Sequence, residues 1–98
     1  MSGERVSLLD ARGVAEGLAQ LPGWAPEGKG IAKTWRFGDF KAAMVFVNGV
    51  AALAERANHH PDVLIHYNVV TLTLWSHDAG GLTARDLALA TTIERVLG

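Results

Sequence analysis

Apolar residues along the 98-residue chain change their period several times, and each change marks an element. Leu8, Ala11, Ala15 and Leu18 recur at helical spacing, with Ser7 as an N-cap and Asp10 where a carboxylate faces the helix N-terminus. Pro22-Gly23 closes that segment, and Gly13 and Gly17 weaken it, so this helix depends on tertiary packing. Trp24 to Phe37 reads as two short strands around the turn-prone Glu27-Gly28-Lys29-Gly30. In the second strand Ile31, Lys33, Trp35 and Phe37 share one face, and Ala32, Thr34 and Arg36 the other. Lys33 among apolar neighbours suits an edge or half-exposed strand.

Gly38-Asp39 then starts a long helix from Phe40 to about Asn58. Its apolar residues form two stripes: Phe40, Ala43, Met44, Val47, Ala51 and Ala54, and beside them Phe46, Val50 and Leu53. That arc is wider than one buried face requires, which suits either a helix sunk deeply against a sheet or a second face kept for another subunit. Pro61 ends the helix, because the residue before a proline is driven out of the α region. Val63 to Ser76 reads as one long strand whose phase slips: Val63, Ile65 and Tyr67 are odd, whereas Val70, Leu72 and Leu74 are even. A one-residue slip flips every side chain to the other face, so a bulge is expected near Asn68. After the Gly80-Gly81 turn, Thr83 as N-cap, Asp86 three residues on and a Leu82–Leu87 staple open a last helix, continued by Ala90, Ile93 and Leu97. The order α-β-β-α-β-α, without repeats or linkers, implies one α+β domain over residues 1–98. Its helices pack on one face of a mainly antiparallel sheet. A free sheet edge invites pairing with a twin subunit.

Composition narrows the function classes. Nine basic and ten acidic residues are scattered, leaving a net charge of −1. No cationic run is present to neutralise a phosphate backbone or an anionic membrane, so neither nucleic acid nor membrane is an expected partner. Cysteine is absent, which excludes disulfides, thiolate metal sites and a cysteine nucleophile. The segment Met1–Asp10 has no signal-like apolar stretch, and no run reaches the ~18 apolar residues of a spanning helix, so a cytoplasmic protein is expected.

The four histidines, His59, His60, His66 and His77, fall in a single stretch of the chain. Imidazole gives or takes a proton near neutral pH, so such a cluster points to proton transfer or metal binding. Glu55 lies four residues before His59, one helical turn away. A carboxylate there, with the negative end of the helix dipole, favours a protonated ring and makes His59 or its neighbour a general acid. His77 closes the long strand beside the Gly-Gly turn, a position of the kind that carries function. His66, in mid-strand, reads as structural, and Asp86 reads first as a helix-start carboxylate. Trp24, Trp35 and Trp75 read as core or pocket walls. Nothing in the spacings selects a zinc site.

The run Glu55-Arg56-Ala57-Asn58-His59-His60-Pro61-Asp62 is followed by Tyr67-Asn68-x-Val70 and then by Leu74-x-Ser76-His77-Asp78-x-Gly80-Gly81-Leu82-Thr83-x-Arg85-Asp86. This pattern closely resembles the signature of the pterin-4a-carbinolamine dehydratases, densely over about a third of the chain. Gly23-Trp24, the strand ending at Phe37 and the helix from Phe40 fit more loosely. The resemblance implies a four-stranded sheet with three helices on one face. It implies dehydration of a 4a-hydroxytetrahydropterin to quinonoid dihydropterin, which recycles the pterin cofactor of aromatic amino acid hydroxylases. His59, His60 and His77 match the family's active-site histidines. Glu55, Asn58, Trp24, Ser76, Arg85 and Asp86 fall at positions that bind substrate or support the pocket. No cofactor and no metal is implied. Members form homodimers by joining sheets, some form homotetramers through helices, and animal members also serve as dimerisation cofactors of a homeodomain transcription factor. Two positions depart from the pattern: Asn58 stands where some relatives carry an acid, and Trp75 where a small polar residue is expected. Competing readings are a non-catalytic dimerising partner protein and an accessory role in molybdopterin metabolism.

Overall fold

Val70, Leu72 and Leu74 are fully buried while Thr71 and Thr73 between them are only half-buried, the alternation that sets one face of a strand against a core. The structure, a computed structural model, describes residues 7–98. Its elements run α1 (Ala11–Ala19), β1 (Ala25–Glu27), β2 (Gly30–Arg36), α2 (Phe40–Ala57), β3 (Asp62–His66), β4 (Val69–Leu74) and α3 (Ala84–Val96). The four strands form one antiparallel sheet in the order β1-β2-β4-β3. Three helices with a four-stranded antiparallel sheet give the α+β architecture expected.

The core lies between the sheet and the helices. Ile31, Val70, Leu72 and Leu74 from the sheet meet Ala43, Phe46, Val50 and Ala54 of α2 and Leu89, Ala90 and Ile93 of α3. Burying side chains of this size at ~25 cal/mol per Å² of apolar surface is the main favourable term of the fold. The buried line of α2 draws on both apolar stripes, because i, i+3 and i+4 neighbours share a face; Phe40 and Val45 stay exposed. Gly17 lets α1 lie close on α3, since a Cβ there would come within 2.4 Å of a Leu87 methyl. Lys33 shares the core-facing side of β2 through a part-buried ion pair. Its Nζ lies 2.7 Å from Glu94 Oε2, and Glu94 also accepts from Trp24 Nε1 at 3.0 Å.

Three expectations about the elements are corrected. The single strand over Val63 to Ser76 is a hairpin, so the order is α-β-β-α-β-β-α. His66 pairs with Val69 across the two-residue turn Tyr67-Asn68, and Tyr67 adopts a left-handed φ of 56°. The phase slip follows from the register rather than from a bulge. Val63 faces Leu72 and Ile65 faces Val70, so odd positions of β3 meet even positions of β4 on one side. Second, Asp10 rather than Ser7 caps α1, its Oδ1 accepting from the Gly13 amide at 2.8 Å. The chain is still extended before it, with Leu8 bridged to Thr83 and the Leu9 amide bonded to the Leu82 carbonyl. Third, of the two readings of β2 the half-exposed one holds and the edge one does not: it is interior, although β1 pairs only with Gly30, Ile31 and Ala32. Among the described residues the rest of β2 is therefore open on that side, and β1 and β3 form the edges.

Candidate active site

Helix α2 stops at Asn58, whose left-handed φ of 50° bends the chain out of the helix before Pro61. This turn decides where the two adjacent histidines go. His59 folds inward, its side chain only 10% exposed, and its Nε2 lies 2.5 Å from Asp86 Oδ1. His60 turns outward, and its Nε2 lies 2.6 Å from Glu55 Oε2. The expected pairing of Glu55 with His59 is thereby corrected. Four-residue spacing makes neighbours only while the helix continues, and the turn at Asn58 brings the fifth residue over Glu55 instead.

Asp86 is fully buried at the third position of α3. Its Oδ2 accepts from the Thr83 amide at 2.9 Å, completing the capping box, and from Ser76 Oγ at 2.9 Å. Ser76 gives its one proton to Asp86, so the 2.7 Å contact between the Ser76 and Thr83 hydroxyls is donated by Thr83. With Asp86 as acceptor, His59 Nε2 carries the proton and Nδ1 is the ring nitrogen left for other chemistry. The helix-start role read for Asp86 is real, and the same carboxylate also orients an imidazole 27 residues away. No spacing in the sequence reveals that link, which arises only when the C-terminus of α2 meets the N-terminus of α3.

Strand β4 leads into the second wall. Extended backbone sends Ser76 inward, while Trp75 and His77 share the opposite side. The rings of Trp75 and His77 pack in a tilted contact with centroids 4.0 Å apart. The turn that follows is drawn together on the Ser76 carbonyl, which accepts from the amides of Ala79 and Gly80. Asp78 on this turn accepts from Arg85 Nη2 at 2.6 Å, and that hydrogen bond, more than the charge attraction beside it, holds the Asp78 carboxyl below its ordinary range. Arg85 Nε is buried without a hydrogen-bond partner among the described residues.

Asn58, His59, His60, Trp75, His77 and Arg85, with Asp78, line one cavity of about 300 Å³. Glu55, Ser76 and Asp86 stand behind it as hydrogen-bond partners of its walls. Trp24 does not reach it; it is buried in the core against Trp35 and bonded to Glu94. His66 is exposed near the β3–β4 turn and is neither packed nor in the cavity. A larger cavity of about 460 Å³ between α2 and α3 shares His59 and Arg85, but it is mainly apolar and holds only that one imidazole. The smaller cavity is therefore where acid–base chemistry concentrates. Among the described residues, no three His, Asp or Glu side chains converge in the manner of a metal site, and no helix is long and apolar enough to cross a membrane.

An α+β chain with its polar cavity at the α2–β3 and β4–α3 junctions can now be set beside known proteins. The family model described as Pterin 4 alpha carbinolamine dehydratase matches residues 7–96, and the chain belongs to that family. A relative from Chloroflexus aurantiacus is 53% identical over 85 residues, covering 87% of this chain and 91% of its own. One from Thermomicrobium roseum is 51% identical over 82 residues, covering 84% and 88%. Both are provisionally named pterin-4-alpha-carbinolamine dehydratases. Among solved structures, a transcriptional coactivator/pterin dehydratase from Brucella melitensis superposes with a TM-score of 0.88 at 31% identity, over 94% of this chain and 100% of that one. A pterin dehydratase-like protein identified as a RuBisCO assembly factor in the alpha-carboxysome gives a TM-score of 0.63 at 26% identity, over 76% and 89%.

Proposed function

We propose that the chain dehydrates a 4a-hydroxytetrahydropterin, such as 4a-hydroxytetrahydrobiopterin, to quinonoid dihydropterin and water. The observation that carries this reading is that three imidazoles, from two separate segments, face one cavity. Expelling the 4a-hydroxyl needs a proton on the leaving oxygen. An electron pair from a ring nitrogen breaks the C4a–O bond, and that nitrogen then gives up its proton, so the reaction is balanced without any redox step. Each such transfer by a placed side chain is typically worth ~10²- to 10⁴-fold. His59 and His60, each oriented by a carboxylate on its Nε2, form the donating side. His77, with no carboxylate bonded to its ring among the described residues, is the accepting side from the other wall. Asn58 and Arg85 supply fixed polar partners for the pterin edge, Trp75 lines the wall beside His77, and Ser76 and Asp86 hold the walls. Trp24 supports the site only through the core. The chemistry requires neither metal nor cofactor, and a cytoplasmic setting belongs to the same reading.

The test is spectrophotometric dehydration of enzymatically generated 4a-hydroxytetrahydropterin. A rate well above the spontaneous one is expected; the spontaneous rate alone, from folded protein, would overturn the reading. The same reading includes a homodimer or homotetramer. Its support is β3, an edge strand with Val63 and Leu64 exposed at 42% and 64%. A transcriptional coactivator and a RuBisCO assembly factor among its structural neighbours favour a competing protein-binding function, which would leave turnover absent while a partner is captured.

A further inference from the structure

Two of the three imidazoles in the cavity are held by carboxylates, His59 by Asp86 and His60 by Glu55. His77 has no side-chain hydrogen bond among the described residues. It is exposed beside a turn, where an imidazole has several staggered rotamers open to it. What it does touch is Trp75, with ring centroids 4.0 Å apart and planes inclined by 40°. The two lie two residues apart on extended backbone, so their side chains leave on the same side, while Ser76 between them is anchored inward on Asp86.

Trp75 is itself fixed by the β1–β2 turn. A Cβ on Gly30 would fall 1.9 Å from the Leu74 carbonyl oxygen and 2.8 Å from Trp75 Cβ, so only glycine lets β2 pass this close. One residue earlier, Lys29 places its Nζ 5.3 Å from the centre of the Trp75 ring, within cation–π range. Lys29, Trp75 and His77 thus form a chain of contacts from a turn to a cavity wall, and the Trp75 ring lines that cavity beside His77.

We propose that Trp75 is the positioning residue for His77, holding its imidazole in the cavity by ring-to-ring contact where the other two histidines are held by carboxylates. This rests on the proton-transfer reading above. A misplaced proton-transfer group loses rate far more than it loses substrate binding. Trp75→Leu removes the aromatic face, and Trp75→Phe keeps it.

In the full chain, Trp75→Leu is expected to lower kcat about tenfold with KM changed less than about threefold, and Trp75→Phe to stay within about threefold of the parent. In ligand-free protein, the carbon-bound imidazole protons of His77 are expected at ring-current-shifted positions in the parent and in Trp75→Phe. They should move to unstacked positions in Trp75→Leu. Trp75→Met takes the place of Trp75→Leu if the latter does not fold. Unmoved His77 resonances in a folded variant without the aromatic ring would overturn the proposal, as would a rise in KM alone, which would make Trp75 a wall for the ligand. Absence of dehydratase activity in the parent would defeat the functional reading instead, and the resonance measurement would still show whether the stack positions His77.

Discussion

His59 and Asp86 meet at 2.5 Å across 27 residues of chain, tying the end of α2 to the start of α3. The same carboxylate takes hydrogen bonds from Ser76 Oγ and the Thr83 amide, so one buried group joins α2, the end of β4 and α3. Asp86→Ala leaves three donors without their acceptor in a water-excluded place. The expected loss is about 3–5 kcal/mol of stability, since each buried donor left unpaired costs about 1–3 kcal/mol. Urea unfolding checks it, and a loss below about 1 kcal/mol would show the network to be dispensable.

Each of His59→Ala, His60→Ala and His77→Ala is expected to lower turnover by roughly 10- to 10³-fold, the scale of one proton-transfer group. His66→Ala should change it little, because His66 points to solvent near a hairpin turn away from the cavity. Circular dichroism controls for folding. Equal damage from His66→Ala and His59→Ala would remove the basis for choosing this cavity.

Glu55 should act through His60 alone. Their nitrogen–oxygen distance is 2.6 Å, while His59 is bonded to Asp86 instead. Glu55→Gln is expected to lower turnover by up to about tenfold in the parent and in the His59→Ala background, and to add nothing to His60→Ala. A double-mutant cycle on kcat measures this. Coupling to His59 rather than His60 would contradict the turn geometry at Asn58.

The sequence carried the helices well because their ends have local chemistry: Asp39 caps α2, and Thr83 with Asp86 forms the capping box of α3. The β3–β4 hairpin was hidden because Tyr67-Asn68 lacks the glycine that usually marks a two-residue turn. A phase change in a single apolar run fits a bulge as well as it fits a register of odd against even positions. The histidines that share the cavity were legible as a cluster, but their partners were not. Glu55 pairs with the next imidazole because its helix ends two residues later, at Ala57, and the link from His59 to Asp86 is a tertiary contact with no periodic signal. Lys33 looked like a sign of exposure, yet its charge is met by Glu94, 61 residues away.

The sheet edge gives a prediction about assembly. Among the described residues β3 is an edge strand with no neighbour on its outer side, beside exposed Val63 and Leu64, and a twin copy would cover both by extending the sheet. Sedimentation at micromolar concentration should show a species of at least twice 10.4 kDa. Leu64→Lys, which puts a charge on that edge, should shift the population toward monomer. A parent that sediments only as a monomer would rule out assembly through this edge at that concentration.

Asp78 and Arg85 set a pH dependence whose direction can be derived. The hydrogen bond from Arg85 lowers the Asp78 carboxyl from its ordinary value of 3.8. The folded chain therefore holds the carboxylate more readily than the unfolded chain does. The stability this adds is fully present above pH 3.8 and is lost as pH falls through the lower folded value. Asp78 is exposed, so the gain is small and is screened by salt. Asp78→Asn should melt slightly below the parent at pH 7 in low salt, and the gap should close as the buffer is taken well below pH 3.8 or as salt is raised. Thermal melts of the two proteins across that range measure it. A gap that widened in acid would mean that Arg85 is held by something other than the Asp78 carboxylate.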